Sequence, residues 1–262
     1  MGTVEQTKIL GPPATPPAPG RRDHLAGSPP ALGNPFCSGF TKESIMESKL
    51  RYWEKESPKY NWPHARLLLI AEIIRRAPAG TSVLDLGAGQ ALLSRLIGPS
   101  YPYRALDIVG STTDEPRVEV CDFDHIEHFH LSGTPYEIVV ASGLLEYLEN
   151  WKSFLRHVVT HWLSPSGLLI ISFTNGRGYP KAPVFKHPAW KNMFSLPQIL
   201  NEMVELGLTV KCVYPLFWGN KRWGLPLVKA LSALAIRREN FLYLDRPWVS
   251  QFLCIARPKH EA

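Results

Sequence analysis

One short stretch, residues 83–93, constrains the fold of this chain more than any other. Its first four residues, Val-Leu-Asp-Leu, form an apolar run interrupted by one carboxylate, which is typical of a buried β-strand. Residues 87–89, Gly-Ala-Gly, then predict a turn whose backbone can approach a ligand closely. Apolar side chains recur at helical spacing through residues 92–97, so a helix follows the turn. A strand, a glycine turn and a helix start together direct free backbone N–H groups at a ligand.

Two classes of cofactor are bound by such a turn, and Asp85 distinguishes between them. Dinucleotide enzymes carry Gly-x-Gly-x-x-Gly with the pyrophosphate over the helix start, but Leu92 stands where the third glycine would be. Asp85 would repel a pyrophosphate, whereas it would attract a cationic amino acid. The acidic-x-Gly-x-Gly pattern resembles the first motif of class I S-adenosylmethionine (SAM)-dependent methyltransferases. The alternative interpretation of the residues is an ordinary strand-to-helix turn.

Composition favours one sizeable domain in a reducing compartment. The chain has 262 residues, of which 45% are hydrophobic, enough for one domain core with appendages. The four cysteines are scattered and show no C-x-x-C or metal-ligand spacing, so we expect a cytoplasmic protein. The sequence contains no signal-peptide pattern and no apolar run long enough to span a bilayer.

The domain boundaries follow from changes in composition. Residues 1–38 are rich in proline and glycine, and we expect them to form a disordered tail, with a proline-motif ligand as the alternative. Residues 39–262 would then form the methyltransferase domain. A predicted helix at 41–56 carries Tyr52 and Trp53, which would either lie against the cofactor, as such helices often do in the family that the chain resembles, or serve as packing aromatics.

The second predicted strand ends in an acid at a fitting distance from the first motif. Asp107 closes the strand and lies 22 residues after Asp85. A carboxylate at this position can accept hydrogen bonds from both ribose hydroxyls, in dinucleotide enzymes and methyltransferases alike. We therefore place Asp107 and its neighbour Ile108 in the cofactor site. The alternative is a strand-end acid in a turn.

The third and fourth predicted strands end in further polar residues. Asp122 and Phe123 follow the third strand, and the family resemblance implies contacts with the adenine amino group and the adenine ring. Ser142 ends the fourth strand. Residues 125–130 include three histidines and a glutamate, but their spacing does not suit a metal, and we predict no metal site.

The alternation of strands and helices predicts a parallel sheet covered on both faces. The resemblance implies a Rossmann-like, doubly wound, seven-stranded sheet that is mostly parallel, with an antiparallel C-terminal strand. Ligands bind at the carboxyl ends of such strands. The residues predicted to bind SAM are accordingly Asp85, Gly87, Ala88, Gly89, Asp107, Ile108, Asp122, Phe123 and Ser142.

The resemblance implies methyl transfer from SAM by direct displacement, which mainly requires alignment of the acceptor. A hydroxyl acceptor also benefits from a base that removes its proton. Many small-molecule family members carry Glu-His where this chain has Glu146 and Tyr147. Our preferred base is His187, because residues 186–195 look like a family segment in which a histidine precedes an aromatic-Ser/Thr helix start. Tyr147 and Glu146 are the next candidates, although we expect Glu146 to cap or orient. The alternative for His187 is a structural hydrogen bond in a loop.

The basic residues of the C-terminal third bear on the acceptor. Residues 176–262 contain 13 Lys+Arg against 5 Asp+Glu, in a chain of net charge +6. Such a surface suits an anionic, partly flat acceptor such as a phosphorylated sugar or a lipid-linked intermediate, or is simply a solvated charged face. No RNA-binding pattern appears, so we expect no nucleic-acid partner. Residues 218–247 are interpreted as a lid or an acceptor-site insertion, with a surface-lying membrane helix as the alternative.

The sequence therefore predicts a SAM-dependent methyltransferase that acts on a small-molecule or glycan- or lipid-linked acceptor, at oxygen. The alternative is a non-catalytic protein of the same fold that acts by binding a partner. It is favoured by the missing Glu-His pair and by the lack of a motif that assigns the catalytic base. A nicotinamide-dependent oxidoreductase is the third hypothesis, and Asp85 argues against it.

Overall fold

The computed structural model describes residues 65–110, 117–133, 135–178, 189–217 and 249–259. Several predicted features lie outside these residues and therefore remain predictions. They are the tail at 1–38, the helix at 41–56 with Tyr52 and Trp53, the preferred base His187, and the insertion at 218–247.

Seven strands form one sheet. In chain order they are β1 (Val83–Leu86), β2 (Tyr103–Asp107), β3 (Val118–Val120), β4 (Tyr136–Ser142), β5 (Leu163–Thr174), β6 (Leu208–Phe217) and β7 (Val249–Pro258). Their spatial order is β3-β2-β1-β4-β5-β7-β6. β7 is antiparallel to both β5 and β6, whereas β1 to β5 pair in parallel. The predicted doubly wound, mostly parallel sheet with an antiparallel C-terminal strand is confirmed.

Four α-helices lie in the described part of the chain, including the one predicted after the glycine turn. They are α1 (Ala65–Ile74), α2 (Leu92–Ile97), α3 (Trp151–His157) and α4 (Leu196–Glu205), and short 3₁₀ segments cover Phe123–His128, Leu145–Tyr147 and Gly176–Gly178. A π-helical turn, Val158–Trp162, continues α3 directly to the start of β5. Ser195 caps α4, because its hydroxyl accepts a hydrogen bond of 3.4 Å from the Gln198 N–H.

The sheet is covered by an apolar layer on each face, because successive strand residues point to opposite sides. Leu84 and Leu86 of β1 belong to the cluster that contains α3 and α4. Val83 belongs to the cluster that contains α1 and α2. Each aliphatic side chain buried in these clusters contributes about 1.5–3 kcal/mol relative to an exposed one. The two layers hold the central strands, and so fix the positions of the residues that follow them.

The crevice that such a fold offers lies where the strand order reverses. β1 pairs in parallel with β2 on one side and with β4 on the other, so the chain crosses the sheet at this point. In open α/β sheets, ligands bind at the carboxyl ends of the strands beside such a reversal. Within the described ranges, no helix is both long enough and apolar enough to cross a bilayer.

Candidate active site

The glycine turn after β1 is held by the neighbouring strand. The N–H groups of Gly87 and Ala88 both donate to the carbonyl oxygen of Leu106, at 2.9 and 3.1 Å. Gly87 and Gly89 have φ values of 72° and 56°, in the left-handed region that favours glycine. A Cβ on Gly87 would approach Cδ1 of Leu144 to 3.2 Å, whereas a Cβ on Gly89 would meet no atom of the described residues within 4 Å. The turn is therefore closed on its Gly87 side and open at Gly89, where a ligand has room.

Asp85 is a buried carboxylate beneath this turn. Its residue surface is 3% exposed, and the Tyr103 hydroxyl donates a hydrogen bond of 2.6 Å to Oδ2. Among the described residues it forms no ion pair with a basic side chain. Burial is the main cause that raises the pKa of Asp85 to about 7; the Tyr103 hydrogen bond opposes the shift and the Asp107 charge adds to it. A cation beside this carboxylate would favour its ionised form.

Asp107 joins the glycine turn to the end of β2. Its Oδ2 accepts the Gly89 N–H at 2.8 Å, and its Oδ1 accepts the Val109 N–H at 3.2 Å. Burial raises the pKa of Asp107, and hydrogen bonds from the backbone of Gly89, Val109 and Ile108 oppose the shift. Each carboxylate oxygen offers about two acceptor sites, so both retain capacity for a ribose hydroxyl. Ile108 contributes to the site through its backbone.

Asp122 lies at the end of β3, one strand farther along the same edge. Burial is the main cause that raises the pKa of the nearby Cys121 thiol, and the charges of Asp122, Asp107 and Glu119 add to the shift. Asp122 also has local partners, since Oδ1 accepts the Asp124 N–H at 3.1 Å and Oδ2 lies 3.0 Å from Nδ1 of His125. It caps the 3₁₀ segment that follows, and its contact with adenine stays a prediction.

Phe123 points into the core. It is 4% exposed, and its ring meets that of Phe154 edge-to-face at 5.6 Å between centroids. The backbone enters the 3₁₀ segment directly after Asp122 and thereby directs this ring toward α3. The expected contact of Phe123 with the adenine ring also stays a prediction.

Ser142 completes the row of predicted residues at the strand ends. Its hydroxyl oxygen lies 3.2 Å from that of Ser172, its partner on β5. Gly143, the next residue, has a φ of 66°, and a Cβ on it would lie 2.7 Å from Nη1 of Arg66. The guanidinium of α1 thus covers the end of β4, a contact between distant parts of the chain that the sequence analysis did not find.

Glu146 forms a second buried carboxylate, beyond β4. It is 2% exposed, and its Oε1 accepts the Thr174 N–H at 2.7 Å, at the end of β5. Its Oε2 is buried and has no hydrogen-bond partner in the described part of the chain. Burial, the largest effect, raises the pKa of Glu146, and the nearby charge of Arg66 opposes the shift. A ligand that reaches Oε2 would satisfy this atom.

The segment before α4 is fastened to Glu146 and its neighbours. The N–H groups of Lys191 and Asn192 donate to the Glu146 carbonyl at 2.7 and 3.0 Å. The Asn192 amide also donates to the carbonyl oxygens of Leu145 and Leu148. Glu146 therefore links three parts of the chain: its own 3₁₀ segment, the end of β5 and the segment that follows the predicted base His187.

The geometry suits the cofactor that the sequence implies. Asp85 offers a buried negative charge for an amino group, Asp107 has spare acceptor sites for ribose hydroxyls, and the backbone is open at Gly89. Within the described ranges, no group of three or more His, Cys, Asp or Glu side chains could hold a metal ion. Tyr103 is a residue of this site that the sequence did not indicate. The signal available for it is that Tyr103 and Asp107 lie four positions apart on β2, so their side chains are on the same face of the sheet.

Comparisons with known proteins agree with this geometry. The family described as "Methyltransferase domain" matches residues 52–213. No curated protein matches the chain.

Several solved structures are similar to this chain. One is the complex between the Haloferax volcanii Trm112 methyltransferase activator and the putative methyltransferase, with a TM-score of 0.57 and 14% sequence identity. The match covers 83% of this chain and 99% of that one. A second is a Burkholderia thailandensis 1,6-didemethyltoxoflavin-N1-methyltransferase with bound S-adenosylhomocysteine, with a TM-score of 0.54 and 14% identity. This match covers 82% of this chain and 87% of that one. A third is the [4+2]-cyclase SpnF, with a TM-score of 0.51, 14% identity, and coverage of 74% of this chain and 80% of that one. At these identities the likeness shows the fold.

Proposed function

We propose that this chain, which belongs to the class I SAM-dependent methyltransferases, transfers the methyl group to a hydroxyl oxygen of a small-molecule or glycan- or lipid-linked acceptor. Methyl transfer and the cofactor follow from the family. The hydroxyl and the acceptor class are the proposal. When bound, SAM supplies an electrophilic methyl carbon with a neutral thioether as leaving group, so the protein has to align the acceptor and remove its proton.

The observation that carries the proposal is the unpartnered Oε2 of Glu146. The Thr174 N–H fixes the other carboxylate oxygen at 2.7 Å, so the side chain is held in place. Burial raises the pKa of the Glu146 carboxyl, so its ionised form is a stronger base than an exposed glutamate. An amine acceptor needs only to arrive neutral, whereas a hydroxyl gains from such a base. Glu146 therefore supports oxygen as the methylated atom.

The position of Glu146 also separates the donor side from the acceptor side. Asp85, Gly89 and Asp107 lie at the ends of β1 and β2, whereas Glu146 lies beyond β4 and bonds to the end of β5. The crevice between β1 and β4 lies between these two groups. We therefore place the acceptor over β4 and β5. His187 precedes the fastened residue Lys191 by four positions and remains the second candidate for the base.

An anionic acceptor is the second part of the proposal. Arg66 brings a positive charge to the end of β4, where its guanidinium lies against Gly143 and acts on the pKa of Glu146. The sequence from 176 to 262 also carries an excess of basic residues, which favours an anionic partner. A phosphate or carboxylate on the acceptor would be attracted to such a region.

Activity profiling with isotope-labelled SAM and an extract of the source organism tests the proposal. We expect the label on an oxygen of an anionic small molecule or lipid-linked sugar. Glu146→Gln keeps the shape of the side chain and should lower the rate of transfer by about 10²–10⁴ with little change in SAM affinity. Glu127→Gln, at a residue whose side chain is 53% exposed, is the matched control. Label found only on nitrogen or carbon would refute the assignment to oxygen.

A further inference from the structure

The hydroxyl of Tyr103 lies directly against the carboxylate that the cofactor site depends on. Tyr103 begins β2 opposite Val83, and its side chain extends along the sheet to Oδ2 of Asp85, 2.6 Å away. The residues opposite Asp85 on the neighbouring strands, Ala105 and Val140, are apolar. Tyr103 therefore supplies the side-chain hydrogen bond that the described residues give to this carboxylate.

The titratable groups that act on Asp85 have opposite effects. Burial and the negative charge of Asp107 both favour the protonated, neutral form of Asp85. The Tyr103 hydrogen bond favours the ionised form, because a hydroxyl donor stabilises a negative oxygen. The ionised form is the one that attracts the cofactor's amino group. Removal of the hydroxyl would thus weaken the cofactor site through Asp85, without any contact between Tyr103 and the cofactor.

We infer that Tyr103 is a positioning residue of the cofactor site, whose hydroxyl holds the Asp85 carboxylate ionised and oriented toward the amino group of SAM. The inference rests on the proposed assignment of Asp85 to the cofactor. It also implies that the protein binds SAM more weakly in mild acid, because Asp85 is then protonated and offers no charge.

The chain offers a closely matched control two residues earlier. Tyr101 is buried and Tyr103 is partly buried, but the Tyr101 hydroxyl donates to the carbonyl oxygen of Ala77 at 3.1 Å, away from Asp85. Tyr101→Phe and Tyr103→Phe each remove one hydroxyl and one hydrogen bond from the same layer of the protein. A loss specific to Tyr103→Phe therefore reports on Asp85 and not on the general cost of losing a buried hydroxyl.

Calorimetric titration of the full chain with SAM between pH 5.5 and pH 8 tests the inference. We expect wild-type affinity to rise with pH up to about 7, and Tyr103→Phe to lower affinity about tenfold at pH 7 by moving this rise to higher pH. Tyr101→Phe should follow the wild type. Methylthioadenosine, which lacks the amino acid portion of SAM, should bind both tyrosine variants and the wild type with affinities that differ by less than about twofold.

Each result has a distinct meaning. If Tyr103→Phe loses the same SAM affinity at every pH, or loses as much affinity for methylthioadenosine, its role is structural and the inference is overturned. Wild-type SAM affinity in this variant would also overturn the inference. If the wild type itself does not bind SAM, the assignment of the site fails instead. Should Tyr103→Phe not fold, replacement of all tyrosines by 3-fluorotyrosine provides a second test. Its more acidic hydroxyl is a stronger donor and should move the rise in SAM affinity to lower pH, and an unmoved rise would refute the inference.

Discussion

The backbone N–H of Gly89 donates a hydrogen bond of 2.8 Å to Oδ2 of Asp107, across 18 positions of sequence. This bond joins the glycine turn after β1 to the end of β2, and so makes one site from two adjacent strands. The same carboxylate also accepts the Val109 N–H, so Asp107 holds both the glycine turn and the backbone that follows β2. Its role in the fold and its proposed role toward ribose therefore depend on the same two oxygens.

The first prediction concerns Asp107→Ala. Loss of a charged acceptor for two backbone N–H groups should destabilise the protein by about 1–3 kcal/mol. Loss of the ribose contacts should lower SAM affinity by about 10- to 100-fold. Urea unfolding and calorimetry measure the two effects. Glu119→Gln, in a surface pair with Arg104, serves as the control, and SAM affinity that is equal in both variants would contradict the assignment of Asp107.

The second prediction concerns the pH dependence of stability that Asp85 causes. Its pKa is about 7 in the folded protein against 3.8 ordinarily, so the folded state retains a proton that the unfolded chain releases. Asp85 therefore lowers the stability of the cofactor-free protein progressively as pH rises from about 4 to about 7, and the full loss is present above pH 7. Asp85→Asn should be more stable than the wild type by about 2–4 kcal/mol at pH 8 and by less at pH 5.

Urea unfolding of both proteins at several pH values checks this sign. The same variant should bind SAM at least about tenfold more weakly, because it lacks the charge. A stability difference that does not grow with pH would show that the carboxyl group of Asp85 titrates normally.

The third prediction separates the effect of Gly89 on stability from its effect on SAM affinity. Its φ of 56° makes alanine strained by about 1 kcal/mol, and a Cβ would project into open space. Gly207, with a φ of 72° and equally open surroundings at the end of α4, is a matched site far along the sequence. Alanine at either position should cost similar stability, as measured by thermal unfolding. Only Gly89→Ala should lower SAM affinity, and equal SAM affinity in the two variants would place the cofactor elsewhere.

The fourth prediction concerns the fastening of the segment before α4. Asn192→Ala removes the amide that donates to the carbonyl oxygens of Leu145 and Leu148, and should cost about 1–2 kcal/mol of stability. The N–H groups of Lys191 and Asn192, which donate to the Glu146 carbonyl, should then exchange with deuterium faster. Hydrogen exchange measured by mass spectrometry reports this directly. Unchanged exchange at these two groups would mean that the Asn192 amide does not hold the segment.

The strands could be predicted because each depends on a local pattern. Apolar runs ended by Asp85, Asp107 and Ser142 marked β1, β2 and β4, and the confirmed sheet places these ends along one edge. The alternation of strands and helices supplied the parallel arrangement of β1 to β5. Residue patterns together with the family resemblance were sufficient for this level of structure.

Side-chain contacts between strands could not be predicted, because they depend on register and rotamer. The contact of Tyr103 with Asp85 requires that Val83 stand opposite Tyr103, which no residue pattern specifies. The contact of Arg66 with Gly143 likewise depends on how α1 lies on the sheet. The edge-to-face contact of Phe123 with Phe154 depends likewise on the 3₁₀ segment that Asp122 caps.

The strand order also has an evolutionary consequence. The candidate donor side is built mainly by residues 85–123, with Ser142 at the end of β4, whereas the candidate acceptor side is built by Glu146, Thr174 and the segment at 189–195. Because the two sides come from separate stretches of sequence, mutation can remodel one while the other is inherited unchanged. Chimaeras that exchange only the later stretch between relatives should therefore acquire a new substrate while retaining the same methyl donor.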